Sequence, residues 1–343
     1  MSGVSVETAP LIALVGPTGS GKSALALALA EHLGTEIISV DSMQFYRGME
    51  IGTAAPSLDD RRRVQHHFVG FLQPDDEIAA GTYQLSAREQ VGLINASGKV
   101  AVAAGGSGMY VSALIDGIFD GPGADPAIRA RLEGEAEAEG NEALLARLRA
   151  VDPEYAANLT SVNDRVRIVR ALEVYEIAGR PYSALHREHR RRTPSLPALQ
   201  FALRYENRQE LYDRINRRVL QMLEDGWVEE VRQLADDGFE PQIARLKALG
   251  YREILAHIRG ERALDAAIAA SQQHHRRYAK RQLTWFNADP RIHWLPAGPG
   301  VTLEAQLGAL LAVAEKQAPL ASSGGAPMHR YLQANAGPAE SDA

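Results

Sequence analysis

An α/β fold is what the 343-residue sequence predicts: a parallel sheet flanked by helices and interrupted by an all-helical insertion. Three observations carry this. An apolar run at residues 11–15 leads through a glycine loop into an Ala/Leu-rich helical run at 24–33. Short apolar or β-branched runs recur at 36–40, 99–104 and 199–205, the spacing of strands with crossovers between them. Between residues 126 and 185 every apolar pattern has helical spacing, so the sheet is broken by a helical unit.

The first element is the most informative. Gly16-Pro17-Thr18-Gly19-Ser20-Gly21-Lys22-Ser23 has the spacing G-x-x-x-x-G-K-S, placed between strand and helix. Backbone N–H groups and a helix N-terminus then surround phosphate oxygens, Lys22 adds a point charge, and the Ser23 hydroxyl is placed to hold Mg²⁺. A diphosphate or triphosphate compound is expected there, on a P-loop NTPase-like sheet. Taken alone, the loop is an ATP site.

Residues 36–40 form the second core strand, ending in Asp41-Ser42. Residues 61–67 read as a polar loop and 81–94 as a helix. The strand at 99–104 runs into Gly105-Gly106-Ser107-Gly108, a turn that lets backbone approach a ligand, and then a helix at 109–114. Gly/Pro/Asp punctuation at 117–126 is where the chain leaves the sheet. Helices follow at 126–139, 141–149 and 164–178, broken by Asp152-Pro153 and Gly179-Arg180-Pro181. The sheet resumes at 199–205, and a helix over 208–223 puts Leu211, Ile215, Val219 and Met222 on one face with Arg214, Arg217 and Arg218 beside it. A last long helix, 264–286, carries Arg276, Arg277, Lys280 and Arg281. The expected domains are a core of residues 1–117 plus 198–316, a helical insertion of 118–197, and a disordered tail of 317–343, which is Ala/Ser/Gly/Pro-rich.

Composition narrows the classes. The chain has no cysteine, which excludes disulfides, thiolate nucleophiles and Cys-ligated zinc. Residues 1–10 have no basic n-region and 11–15 is too short for a signal core or membrane span, so a cytoplasmic protein without a membrane partner is expected. A net charge of −6 argues weakly against nucleic acid, but the basic residues are clumped. Arg187, Arg190, Arg191 and Arg192 read equally as a solvated loop or an RNA contact. His66-His67 and His274-His275 lack metal-ligand spacing.

Asp41, at a strand end beside the phosphate loop, reads as a Mg²⁺ ligand, a general base or a turn cap. Its neighbours Ser42, Met43, Gln44, Phe45 and Tyr46 supply a hydroxyl, an amide and two aromatics, which suit reading a planar base.

With these motifs in place the chain resembles the tRNA dimethylallyltransferases, also called tRNA isopentenyltransferases, over roughly residues 10–295. The resemblance rests on the G-P-T-G-S-G-K-S loop, I-S-V-D-S-M-Q-F-Y at 38–46, G-M-E-I-G-T-A at 48–54 and G-G-S-G-M-Y at 105–110. It continues through N-D-R at 163–165, R-A-L-E-V at 170–174, L-G-Y-R-E at 249–253 and Y-A-K-R-Q-L-T-W-F at 278–286.

The resemblance implies transfer of a dimethylallyl group from dimethylallyl diphosphate to the exocyclic amine of the adenosine 3′-adjacent to the anticodon, with Mg²⁺ as cofactor. It implies that residues 16–23 hold the diphosphate, with Arg214 and Arg218 as further contacts and Ser23 near the metal. Asp41, Ser107 and Lys22 form the implied catalytic set. The anticodon stem-loop would meet Asp41, Ser42, Met43, Gln44 and Ser107, then Arg129, Val166, Arg167, Ile168, Val169 and Arg170, then Lys247, Gly250, Tyr251 and Arg252, with Arg277 and Arg281 on the last helix. A monomer is expected. Rival readings are an adenylate isopentenyltransferase, a small-molecule P-loop kinase and an RNA-binding nucleotide switch; the helical insertion and basic C-terminal helices favour the tRNA enzyme.

Overall fold

A computed structural model of the chain describes residues 11–119, 121–159, 161–192 and 195–317. The chain folds into two compact units, and it passes from the first to the second between Ile115 and Asp116 and back again between Ser195 and Leu196.

The first unit begins with β1 (Leu11–Val15), α1 (Lys22–Leu33), β2 (Ile37–Ser39), α2 (Glu50–Thr53), α3 (Leu58–Arg63) and β3 (His66–His67). It continues with α4 (Ala80–Ala96), β4 (Ala101–Ala104) and α5 (Gly108–Asp116). The second unit holds α6 (Pro126–Glu139), α7 (Asn141–Val151), α8 (Pro153–Ala157), α9 (Arg165–Ala178) and α10 (Tyr182–Arg192). The chain then returns to the first unit as β5 (Ala198–Tyr205), α11 (Arg208–Glu224), α12 (Trp227–Asp236), α13 (Glu240–Leu246), α14 (Tyr251–Ile258), α15 (Leu264–Asn287), β6 (Ile292–Ala297) and α16 (Leu303–Gln317).

The strands form a parallel sheet in the order β3-β2-β4-β1-β5-β6. β1 sits between β4 and β5 and is buried throughout, which its unbroken Leu-Ile-Ala-Leu-Val run requires. Alternation sends Leu11, Ala13 and Val15 to one face, packed with Phe45, Tyr83 and Trp227, and Ile12 and Leu14 to the other, with Leu25, Leu29 and Leu310. Where the chain leaves and re-enters the sheet unit, Leu196 N donates to Ile115 O at 2.7 Å, so exit and return are side by side. The carboxyl ends of β1, β2 and β4 deliver the glycine loop, Asp41 and the Gly105–Gly106 turn to one edge, where ligands bind in open α/β sheets.

The helical unit closes around Leu132, Leu144, Leu148, Ile168 and Leu172. Asp152-Pro153, expected as a break, starts α8: the Asp152 carboxylate accepts from Tyr155 N at 3.0 Å with Pro153 at the first turn. The arginine run, read equally as a solvated loop or an RNA contact, lies on α10, where Arg187 pairs with Glu154; the side chains of residues 190–192 lie outside the described set. Residues 61–67 are likewise not a loop. Ser57 and Asp60 form a capping box that starts α3, and His66–His67 pairs with β2 as a short edge strand. β6, α12 and α16 are also additions to the sequence reading. Gln317 ends α16, and the remainder of the expected tail lies outside the described residues.

Candidate functional site

The site is a cavity of about 1090 Å³ within the sheet unit, lined by the glycine loop, residues 41–44, α11 and α15. Gly16, Gly19 and Gly21 all have positive φ, which only glycine adopts freely, and so turn loop amides inward. Gly19 also admits α11: a Cβ there would stand 2.7 Å from Ile215 Cγ1. α11 thereby brings its arginines to the cradle. Arg218 Nη1 donates to Thr18 Oγ1 at 2.9 Å, and Arg214 Nη2 lies 3.5 Å from where a Gly21 Cβ would be. Arg217 lines the same cavity.

Lys22 is buried and its Nζ donates to Pro17 O at 3.3 Å. Burial, with Arg218 adding to it and Asp41 opposing, pulls its ammonium down to about 8. An anion beside it would restore the charge. Burial raises the Asp41 carboxyl above its usual range despite Lys22, Met43 N and Arg218, and burial likewise lowers the Arg218 guanidinium, with Asp41 opposing and Arg214 assisting. The cavity thus holds the Asp41 carboxylate, the Lys22 ammonium and the Arg218 guanidinium in mutual range, the charged form of each disfavoured by burial.

Asp41 Oδ1 accepts from Met43 N at 3.2 Å, which is the turn cap, and the residue also lines the cavity. Ser107 Oγ accepts from Ser42 N at 3.3 Å, tying the β4 turn to the β2 turn. Gln44 is committed at both ends, its Oε1 accepting from Ser39 Oγ at 3.0 Å and its Nε2 donating to Ala54 O at 3.1 Å. Its amide therefore shapes the wall beside Asp41.

Three residues of α15 were missing from the sequence reading of the site. Gln282, buried, accepts from Thr18 N at 2.9 Å and donates to Gly106 O at 2.8 Å, joining the phosphate loop to the Gly105–Gly106 turn. Gly106 must be glycine for this, since a Cβ would stand 2.2 Å from Gln282 Nε2. Burial, with Asp41 reinforcing it, pushes the Tyr278 phenol up to about 12 against hydrogen bonds with Ser107 and Gln282. His275 lines the cavity one turn earlier. Their spacing of three and four along one helix face was the available signal.

Four residues expected at an RNA surface are core residues. Tyr251 is fully buried, its hydroxyl within hydrogen-bond distance of two acceptors, Met49 O at 3.0 Å and Glu230 Oε1 at 2.7 Å; Gly250 is buried against Trp227. Ile168 and Val169 lie in the core of the helical unit. Val166 and Arg167, by contrast, are exposed on α9, while Arg129 and Arg170 both pair with the buried carboxylate of Glu173, at 2.9 and 2.7 Å. Lys247, Arg252, Arg277 and Arg281 are exposed, Arg252 bonding Ala244 O and Arg281 standing over the Tyr278 ring.

An IPP transferase family model matches residues 44–289, and a model of the ATPase family associated with various cellular activities matches residues 12–69. The chain is 47% identical over 285 residues to tRNA dimethylallyltransferase 1 of Citrifermentans bemidjiense, covering 83% of this chain and 91% of that one. It is 46% identical to the tRNA dimethylallyltransferase of Geobacter sulfurreducens over the same shares. Among solved structures, tRNA delta(2)-isopentenylpyrophosphate transferase from Staphylococcus epidermidis superimposes with a TM-score of 0.64 at 32% identity, covering 90% of this chain and 99% of that one. A eukaryotic dimethylallyltransferase acting on tRNA shares the fold, with a TM-score of 0.75 at 23% identity over 95% of this chain and 85% of that one.

Proposed function

Since the chain belongs to the IPP transferase family, we propose that it transfers a dimethylallyl group from dimethylallyl diphosphate to the exocyclic amine of the adenosine 3′-adjacent to the anticodon in tRNA. The observation that carries the reading is the juxtaposition, in one cavity, of Lys22 at the end of the glycine loop and Arg218 of α11, bonded to Thr18 of that loop, with the Asp41 carboxylate.

The chemistry follows from those groups. The adenine nitrogen attacks the allylic carbon, the new C–N bond forms as the C–O bond to diphosphate breaks, and the amine proton passes to Asp41. An aromatic amine is a weak nucleophile, so removal of its proton during attack and its alignment with the carbon each lower the barrier. Asp41 must enter the step ionised; its raised carboxyl makes it the stronger base once ionised. Negative charge grows on the departing oxygen, where the loop amides, Lys22, Arg214 and Arg218 are aimed. Ser107, fixed to Ser42 N, holds the β4 turn against the reacting centre.

Mg²⁺ is part of the proposal. Ser23 is exposed on the first turn of α1 and lines the cavity, and its hydroxyl is a hard oxygen donor that would suit a magnesium ion. When bound, the ion would neutralise charge on the leaving diphosphate.

RNA would reach the site along the exposed arginines and lysines of α15 and residue 247, flipping the target base out of its stack. No helix among the described residues is long and apolar enough to cross a membrane, and a monomeric cytoplasmic enzyme is the reading proposed. Incubation with labelled dimethylallyl diphosphate, Mg²⁺ and either tRNA or AMP tests the function. Label in tRNA is expected; label in AMP alone, or in neither, overturns it.

A further inference from the structure

His275 is a buried polar group that the reaction above does not use. It is 5% exposed and lines the cavity, with its ring edge-on to Trp227 at 6.4 Å between centroids. Its Nδ1 lies 2.8 Å from Ser271 O. A carbonyl only accepts, so Nδ1 carries the proton and Nε2 is left with a lone pair and no N–H. Among the described residues no other hydrogen bond to the ring is present. Burial, with Arg218 and His274 adding to it and the Ser271 bond opposing, holds the imidazole down at about 4, so it is neutral at any working pH.

The cavity is otherwise rich in donors: Lys22, Arg214, Arg217, Arg218 and Arg281 all line it. Of the acceptors beside the glycine loop, Gln44 is committed at both ends and Asp41 is assigned to the reacting proton. With Nδ1 given to Ser271 O and the residue lining the cavity, the Nε2 lone pair is an acceptor that a ligand donor can meet. The two substrates differ in this respect. The hydrocarbon of dimethylallyl diphosphate has no N–H or O–H, and its diphosphate is an acceptor matched by the cations. The nucleoside has both an exocyclic amine and a ribose 2′-hydroxyl.

Resting on the reaction proposed above, we propose that His275 Nε2 accepts a hydrogen bond from the RNA nucleotide held in the cavity, so that this imidazole reads the nucleoside and not the prenyl donor. The amine and the 2′-hydroxyl share the required chemistry, and the test separates them.

The experiment is steady-state transfer with dimethylallyl diphosphate, Mg²⁺ and an anticodon stem-loop RNA, comparing the unaltered enzyme with His275→Phe, which keeps a ring against Trp227, and His275→Gln, which restores an acceptor. His275→Phe should raise the KM for RNA about five- to tenfold with the donor KM unchanged, and His275→Gln should recover part of the loss. A stem-loop with 2′-deoxyadenosine at the target position distinguishes the partners. If the hydroxyl is bound, the deoxy substitution weakens the unaltered enzyme and adds nothing in His275→Phe; if the amine is bound, its effect is equal in both. In the unaltered protein the Nε2 ¹⁵N resonance should shift on adding stem-loop and stay in place on adding donor, which keeps the inference testable if His275→Phe does not fold. An unchanged RNA KM in a folded His275→Phe, a rise confined to the donor KM, or a resonance that ignores RNA overturns the assignment of His275 alone. Failure of the unaltered enzyme to transfer label to tRNA overturns the reaction itself.

Discussion

The Gln282 side chain is a strut between the glycine loop and the Gly105–Gly106 turn: its oxygen accepts from Thr18 N at 2.9 Å, and its nitrogen donates to Gly106 O at 2.8 Å. Both bonds are buried. Removing the side chain strands a donor and an acceptor, each costing about 1–3 kcal/mol. Gln282→Ala should therefore lower thermal stability and loosen the loop, with the donor KM rising about tenfold or more. Calorimetric unfolding and donor titration check this, and unchanged values for both would show that the strut is dispensable.

Asp41→Asn removes the proton acceptor and keeps the shape. Transfer should fall by about 10²-fold or more while donor affinity stays within about threefold. In the unaltered enzyme the raised carboxyl places the acid limb of the rate profile above the ordinary carboxylate range: activity is present once pH exceeds the Asp41 pKa and is lost as pH falls through it. Single-turnover rates of both proteins across pH measure this. A wild-type rate in Asp41→Asn would remove Asp41 from the mechanism.

Lys22 gives the opposite limb. Its ammonium, lowered to about 8, is charged below that pH and neutral above it, so donor affinity should decline as pH rises through about 8. A donor bound at higher pH must draw a proton onto Lys22, with uptake approaching about one proton per donor. Calorimetry of donor binding in buffers of different ionisation enthalpy reads that uptake directly. Lys22→Ala should bind donor more weakly and show no such uptake.

Charge on α15 should appear in the salt dependence of RNA binding. Neutralising both Arg277 and Arg281, exposed on that helix, should reduce the slope of log K against log salt by up to about 1.4 to 1.8, taking the 0.7 to 0.9 per phosphate contact of single and double strands. Donor affinity at Arg277 alone should not move. A slope identical to that of the unaltered protein would make the helix face a purely structural one.

Within the helical unit, Glu173 is fully buried and holds Arg129 and Arg170 together with the N–H of Asp125 at 2.8 Å. Glu173→Ala should destabilise this unit by about 3 kcal/mol, because two arginines and an amide lose their shared acceptor. Proteolysis within residues 116–195 should accelerate relative to the sheet unit.

Legibility in the sequence followed the range of the interactions. The glycine loop is a local pattern whose spacing alone marks a phosphate site, and Asp41 stands out at a strand end beside it, whereas the α11 arginines were tied to the diphosphate only through the family resemblance. Gln282 acts on Thr18 across 264 positions, and no local pattern says that α15 lies back across the strand ends. Tyr251 shows the converse: its motif marks it as important, but its hydroxyl is spent on Met49 and Glu230 in the core. Asp152-Pro153 was readable as the break it is, ending α7, but its second role as the cap of the short helix α8 was not.

The neighbouring exit and return of the chain at Ile115 and Leu196 have a consequence for biosynthesis. β1, at the centre of the sheet, gains β4 early but waits for β5, whose register with it begins at Ala198 opposite Leu11. During synthesis of the intervening segment one edge of the most apolar strand is unpaired, a template for wrong partners. Helices form fast and from local contacts, so the insertion can fold while the ribosome is still making β5. Its neck then delivers β5 to the waiting edge of β1, and the nascent chain is most exposed to aggregation in the interval before that strand emerges.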